Sequence, residues 1–306
     1  MRPAVCVMMS TYNGEKYISE QIDSILGQNH VDVTLMIRDD GSTDGTLALL
    51  RKYEAEHDNI SVCTGANLGY ARSFWSILLN APENCNYYAF SDQDDVWEPN
   101  KLASGIHALR QSKDACKLYA SALNVTDADL NFQYKNVFKK LKPQLGSAIT
   151  RPRLSGCTMI FTPGLLRLCK KMDICQPDGK CMSHDGAVYL TYLACGGKIL
   201  FSQKSYIKLR RHEETVTGHG KGIIKRITSV TNIFTTRRHE ATQQAGFLYS
   251  HLKDDMTVES RALCEDILHY RNSLSKTLKL CFDKRIKCNL FSVDAITFFA
   301  VLFRCY

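Results

Sequence analysis

The chain has 306 residues, 44% apolar and 23% charged, an ordinary globular composition that excludes wholesale disorder. That length suits one large α/β domain or two modest ones. Its 39 Lys and Arg against 31 Asp and Glu give a net charge of +8, yet residues 220–306 hold 14 of those cations and only 8 of the carboxylates, so the basic excess belongs to the C-terminal part. The 13 cysteines are odd in number and form no CxxC pair, unlike a small secreted disulfide framework. Cys6 and Cys157 lie in apolar runs, as buried free thiols do, and the even spacing of Cys169, Cys175 and Cys181 matches no zinc pattern. The N-terminal MRPAVCVMMSTYN lacks the charged start, long apolar core and cleavage site of a signal peptide. The longest apolar stretch, Ala295 to Phe303, is about half of the ~20 residues that a membrane span needs. These features together suit a reducing cytoplasm.

In chain order, Ala4–Met9 is a short apolar run that reads as a buried strand. Ser10, Thr11, Asn13 and Gly14 punctuate it, and Glu15–Leu26 shows helical spacing at Tyr17, Ile18, Ile22, Ile25 and Leu26. Val33–Ile37 is a second strand, Asp39–Gly45 is turn chemistry with a helix N-cap, and a helix begins at Thr46–Tyr53. Ile60–Cys63 is a strand, Ala71–Leu79 a helix, and Tyr87–Phe90 a strand that runs into an acidic cluster. Further on come strands at Leu118–Val125, Thr158–Phe161 and Lys198–Phe201, with helices near Leu165–Met172 and Ala187–Ala194. From Ile223 the pattern is helical. Alternating strands and helices predict a doubly wound α/β sheet whose ligand lies at the carboxyl ends of the strands.

No GxGxxG follows the first strand and no GxxxxGK[ST] occurs, which disfavours a nicotinamide dehydrogenase or a P-loop kinase. The glycine-rich run Gly218–Gly222 follows no strong strand and reads as a hinge, with a phosphate cradle as the alternative. The strongest signal is Ser91-Asp92-Gln93-Asp94-Asp95-Val96-Trp97. Three carboxylates within four residues repel one another unless a cation is bound, and Mg²⁺ or Mn²⁺ takes oxygen ligands shared with phosphates. The alternative is a solvated acidic turn capping the helix after Glu98. Thr11-Tyr12-Asn13, Asp39-Asp40-Gly41-Ser42-Thr43-Asp44-Gly45-Thr46 and Asn67-Leu68-Gly69-Tyr70-Ala71-Arg72 also stand where a doubly wound sheet puts ligand contacts.

Taken together, these ordered elements resemble an inverting family 2 glycosyltransferase of the GT-A fold, most similar to the bacterial rhamnosyltransferase-like branch, from about Val5 to Gly218. The resemblance implies a doubly wound mixed sheet flanked by helices. It assigns Thr11, Tyr12 and Asp40 to the base and ribose of a sugar nucleotide, with Asn13, Glu15, Asn67, Gly69, Gln93 and Gly156 lining the same donor site. Arg72 would lie near the diphosphate, Asp92 would face ribose and metal, and Asp94 would ligate the metal directly. Asp95 would point away if strand alternation continued. Ser183-His184-Asp185-Gly186 matches the family's acidic motif before a helix and makes Asp185 the general base, with an N-cap as the structural alternative. Ser155-Gly156-Cys157-Thr158-Met159 resembles the strand lining the sugar and acceptor pocket. Leu209-Arg210-Arg211-His212 and Val216-Thr217-Gly218 resemble the segment in which a His completes the metal shell, here His212. Leu209 replaces a Tyr, and Glu214 or Thr215 stands where an Asn is usual.

The implied activity is transfer of a sugar, rhamnose or another hexose, from a dTDP- or UDP-sugar to a saccharide or lipid-linked saccharide in cell-surface polysaccharide synthesis. A catalytically silent sugar-nucleotide-binding subunit is the alternative. A nucleotidyltransferase would carry a glycine-rich first loop with a cation, which Ser10–Gly14 lacks. The expected organisation is a catalytic domain at 1–219, with a donor half to about 115 and an acceptor half from 116, then a basic helical extension at 220–306. The extension joins cations (Lys225, Arg226, Lys276, Lys279, Lys284, Arg285, Lys287) to apolar runs (Ile223–Ile227, Ile233-Phe234, Ile296–Phe303). It reads either as a peripheral contact with the inner face of an anionic membrane or as a packed cap. Nucleic acid is not an expected partner.

Overall fold

A computed structural model describes residues 1–137, 142–151, 154–175, 181–212 and 238–306. Val216-Thr217-Gly218, Glu214, Thr215, the Gly218–Gly222 run, the expected boundary at 219/220, Ile223–Ile227 and Ile233-Phe234 lie outside those residues.

The first strand, β1 (Ala4–Thr11), has Val5 to Met9 fully buried. Such a continuous apolar run marks a strand covered on both faces. Strand alternation divides it: Val5, Val7 and Met9 join one hydrophobic cluster and Cys6 and Met8 the other, so the two cores lie on opposite faces of the sheet. On one face, helix α1 (Ile18–Leu26) buries Ile18, Gln21, Ile22 and Ile25 at helical spacing. Strand β2 (Asp32–Asp39), helix α2 (Thr46–Glu56), strand β3 (Ile60–Thr64), helix α3 (Tyr70–Asn80) and strand β4 (Tyr87–Ser91) follow. β1 pairs in parallel with β2 on one side and β4 on the other, and β3 adds outside β2. The chain therefore changes direction across the sheet between β1 and β4, which opens a crevice beyond their carboxyl ends.

The rest of the sheet is mixed. Short β5 (Val96–Trp97), helix α4 (Lys101–Arg110), β6 (Leu118–Thr126), β7 (Phe132–Asn136), helix α5 (Leu145–Thr150), β8 (Met159–Phe161), helix α6 (Pro163–Lys170), helix α7 (His184–Ala194) and long β9 (Leu200–Arg210) complete it. Its order is β3-β2-β1-β4-β8-β6-β9-β5, with β7 on β6. β8 runs antiparallel to β4 and β6, β9 parallel to β6, and β5 antiparallel to β9. The β9–β5 pairing carries the end of β9 back to the acidic loop after β4.

Among the described residues, four C-terminal helices, α8 (Glu240–Leu252), α9 (Val258–His269), α10 (Leu274–Cys281) and α11 (Phe291–Leu302), pack onto the domain. Leu248, Leu263, Ile267, Leu280 and Val301 share one core with Leu165 of α6 and Tyr189 of α7. Thr150 of α5 meets the Tyr306 hydroxyl at 2.7 Å, and the Thr257 N–H donates to the Ala194 carbonyl at 3.1 Å. Among the described residues, no helix is long and apolar enough to cross a membrane.

Cys175 and Cys181 form a disulfide, a pairing that the expectation of a reducing cytoplasm did not anticipate; the other eleven cysteines form none. Spacing in sequence does not reveal that these two backbones meet across an isolated bridge.

Candidate active site

The crevice is built from loops after β1, β2 and β4 and from the start of α7. Several expected donor residues turn out to be its frame. Thr11 Oγ1 donates to Asp39 Oδ1 at 3.0 Å, and Asp39 also accepts from the Ser42 N–H at 3.0 Å and hydroxyl at 2.6 Å. Asn13, at φ 48, accepts from the Thr43 N–H at 2.8 Å, and Glu15 accepts from the Gly45 N–H at 2.8 Å. These bonds lash the β1 and β2 loops together.

Asp40 is buried and engaged. It pairs with Arg38 and accepts from the Leu68 N–H at 2.9 Å and the Gly69 N–H at 2.9 Å. A carboxylate offers about four lone-pair sites, so a pyrimidine N–H would add to a group that already has three donors. Asn67 Oδ1 also accepts from the Gly69 N–H at 3.0 Å. Gly69 has φ 79 and ψ 153, a region open essentially to glycine alone, and a Cβ there would touch nothing within 4 Å. Gly69→Ala should therefore cost about 1–3 kcal/mol from the backbone alone. Urea unfolding of the purified variant measures this, and an unchanged midpoint would contradict it.

Tyr12 is 47% exposed, with its backbone clamped: its N–H donates to Gln93 Oε1 at 2.9 Å and Gln93 Nε2 donates to its carbonyl at 3.0 Å. Gln93 thus holds Tyr12 through its side chain. Arg72 Nε donates to the sulfurs of Cys175 at 3.2 Å and Cys181 at 3.0 Å, so its head is turned toward the disulfide.

The acidic loop gathers more charge than sequence alternation allows for. β4 ends at Ser91, so alternation does not continue, and Asp95, expected to point away, is instead buried beside Asp92 and Cys157. One ligand atom each of Asp92, Asp95 and Cys157 lies within 4.8 Å of the others. Asp95 Oδ1 accepts from the Arg210 N–H at 3.3 Å, while Oδ2 is buried without a hydrogen-bond partner. Burial, then the nearby Asp94 and Asp185, pushes the Asp92 carboxyl up to about 7. Burial, then Asp92 and Asp94, raises Asp95 as well. Asp94 Oδ2 lies 2.8 Å from His212 Nε2. Asp94 and His212 thus meet at the partly open rim, whereas Asp92 lies with the buried Asp95 and Cys157.

Two cations support this loop, Arg210 of the Leu209–His212 motif and Lys101, which sequence reading did not single out. Arg210, buried at the end of β9, donates to the Asp94 carbonyl at 2.9 Å, pairs with Glu20 and lies 4.4 Å over the Tyr17 ring. Lys101 is buried with Nζ 3.5 Å over the Trp97 ring and no hydrogen-bond partner, and burial lowers it to about 7 against the pull of Cys157 and Asp95. Its only sequence signal was a cation opening a helix just after the acidic run.

Asp185 lies in the first turn of α7, near enough for its charge to raise Asp92. Of the eleven residues of α7, ten are buried, and Asp185 is the exception. Ser183 supplies the N-cap, accepting from the Gly186 N–H at 3.3 Å, so Asp185 is not needed for capping. His184 is buried against Phe74 (4.0 Å) and Phe90 (4.7 Å), and burial lowers its pKa. A Cβ on Gly156 would come within 2.7 Å of His184 Nε2 and 3.3 Å of Asp185 Cβ. Glycine at 156 therefore lets the lead-in to β8 close on the start of α7.

The sequence model described as Glycosyl transferase family 2 matches residues 6–165, over half of the chain. A dTDP-rhamnosyl transferase, RfbG, of Shigella flexneri is 37% identical over 105 residues, which is 33% of this chain and 36% of that protein. The chain thus aligns with about a third of that relative's length. Among solved structures, S. aureus TarS 1-349 in complex with UDP-GlcNAc superposes with a TM-score of 0.61 at 19% identity, over 98% of this chain and 88% of that one. The mannosyltransferase PcManGT from Pyrobaculum calidifontis, in complex with GDP-Man and Mn²⁺, gives 0.50 at 16% identity, over 100% of this chain and 86% of the other. With the matched family spanning β1 to the start of α6 and the fold shared along the whole chain, the protein belongs to the family 2 glycosyltransferases of the GT-A fold.

Proposed function

We propose that the protein moves a sugar, rhamnose or another hexose, from a dTDP- or UDP-sugar to a hydroxyl of a saccharide or lipid-linked saccharide, with inversion at the anomeric carbon. The observation that carries this reading is Asp185: it alone of α7 escapes burial, and its charge is felt at Asp92 in the same crevice. The dTDP-rhamnosyl function of one relative and the UDP-GlcNAc and GDP-Man of the two solved structures support the donor class; those ligands belong to those proteins.

The roles follow from the chemistry. The Asp185 carboxylate takes the acceptor's hydroxyl proton as that oxygen bonds to the anomeric carbon. The bond to the nucleoside diphosphate breaks, its electron pair leaving with the diphosphate oxygen. The exposed Tyr12 ring offers a face to the base, and Arg72 is assigned to the diphosphate side. The crevice residues fit a hard divalent cation, because one loop gathers the carboxylate oxygens of Asp92, Asp94 and Asp95 and sets Asp94 Oδ2 beside His212. Asp92, Asp94 and His212 would hold Mg²⁺ or Mn²⁺; the buried Cys157 thiol is too soft a ligand for either. When bound, the cation neutralises charge on the leaving diphosphate. Residues 1–219 are assigned to catalysis and 220–306 to placement at the inner face of the membrane, where polysaccharide intermediates are built.

Nucleoside diphosphate release from a panel of dTDP-, UDP- and GDP-sugars with Mn²⁺ tests the reading. Turnover of one dTDP- or UDP-hexose is expected. Binding of a donor with no turnover, with or without saccharide acceptors, would replace it with a silent sugar-nucleotide-binding subunit.

A further inference from the structure

We propose that an exposed aromatic face on the last two helices docks the protein on an anionic lipid surface, which deepens the lipid-linked acceptor reading above. Leu274, Leu278 and Phe282 recur every four residues along α10 and its end, so they lie along one side, and they are 64%, 41% and 70% exposed. The Phe282 ring meets Phe298 of α11 at 5.5 Å, Phe298 meets Phe299 at 5.6 Å, and Phe299 meets Phe303 at 6.1 Å. The two helices thus carry a connected run of rings in which Phe282, Phe299 and Phe303 are exposed and Phe298 packs partly against the core. Their opposite sides are sunk in the core through Leu280 and Cys281 on α10 and Ala300 and Val301 on α11, which fixes the outward orientation of the apolar side. A contiguous apolar patch of this kind marks an interaction surface rather than scattered surface residues.

Charge identifies what covers it. Lys287 Nζ lies 5.9 Å from the Phe298 ring, Arg304 directly follows Phe303, and Lys142 Nζ donates to the carbonyl of exposed Lys284 at 2.9 Å. Among the described residues these four cations have no carboxylate partner, whereas Lys279 and Arg285 are paired with Asp266 and Asp283. The one acid of α11, Asp294, is engaged by the Cys288 N–H at 2.6 Å. Phospholipid head groups supply the missing negative charge, and the ring run enters the boundary with the acyl chains. A symmetric contact with a second copy would instead set these cations against each other.

Flotation of the full chain with vesicles tests the proposal. At low salt the protein should float with mixed phosphatidylglycerol and phosphatidylcholine vesicles, not with phosphatidylcholine alone, and high salt should release it. Phe282→Ser combined with Phe303→Ser should lower the partition coefficient about ten-fold. Lys284→Glu with Arg304→Glu should do the same at low salt while leaving the core untouched. Donor hydrolysis without vesicles should be unchanged in both. Failure of the wild type to float, or equal flotation of all three proteins, would overturn the docking surface. So would a concentration-dependent dimer, seen by light scattering, that the Phe282/Phe303 variant abolishes. A wild type that floats but turns over no donor would support docking and defeat the transferase reading alone.

Discussion

Replacing Asp185 by Asn should lower sugar transfer about 10²- to 10⁴-fold, the usual worth of a positioned general base. Donor affinity should hold within about two-fold, because no donor-binding role is assigned to this side chain. Shape is conserved in this variant. Asp185 Oδ1 accepts from the Gly186 N–H at 2.7 Å, which an amide oxygen can also do, and Ser183 keeps the N-cap. The stability cost is limited to the loss of a negative charge near a helix N-terminus, about 0.3–1 kcal/mol. A hundred-fold rate loss corresponds to about 2.7 kcal/mol, so the two effects separate cleanly. Transfer kinetics, donor titration and thermal melting on the same preparation measure all three. Wild-type turnover by the variant would remove Asp185 from catalysis, and collapse of the melt would make its role structural.

Chelation of divalent cations, or Asp94→Ala, should reduce transfer by about 10³-fold or more, since the charge stabilisation at stake is several kcal/mol. Asp94→Ala also frees His212 from its 2.8 Å contact. Asp94→Asn keeps that contact's shape and loses only charge, which distinguishes ligation from packing. The pH dependence has a fixed sign. In chelated protein Asp92 keeps its proton up to about pH 7, while in the unfolded chain it releases it near its ordinary 3.8. Between those values the folded state binds more protons, so stability should fall as pH rises from about 4 to about 7. The same proton competes with a cation, so Mn²⁺ affinity should climb across that window and level off above it. Calorimetric titration of Mn²⁺ at several pH values measures this. Affinity independent of pH, or full activity in excess chelator, would remove Asp92 and Asp94 from a metal site.

Legibility in the sequence follows the range of the interactions. Strands β1, β2 and β4 were readable because each is an apolar run closed by turn residues, and β1 is buried on both faces. Asp92, Asp94 and Asp185 stood out as candidates because charge at a strand end or at a helix start is a local pattern. Asp95 was misplaced because its direction depends on a loop that leaves the strand at Ser91 and is held by Arg210, 115 residues away. Asp40 was assigned to the base, and what also occupies it was not readable, because the Leu68 and Gly69 N–H groups that join Arg38 on it come from a loop 28 and 29 residues further on. The Cys175–Cys181 disulfide and its contact with Arg72 lie across a pairing that no spacing rule describes.

The basic excess of residues 220–306 was countable from composition, but its meaning was not. Tertiary structure answered part of the question: the C-terminal helices pack into the core, with Phe282 and Phe299 exposed near cations that have no carboxylate partner among the described residues. The sequence by itself determined the α/β class, the strand-end motifs and the family resemblance, because alternation and turn chemistry act over a few residues. Only tertiary structure decided the mixed sheet order, which carboxylates share one crevice, and which face of the last helices meets solvent. Those depend on contacts between distant segments, and burial, charge coupling and pairing are properties of the packed chain rather than of any stretch of it.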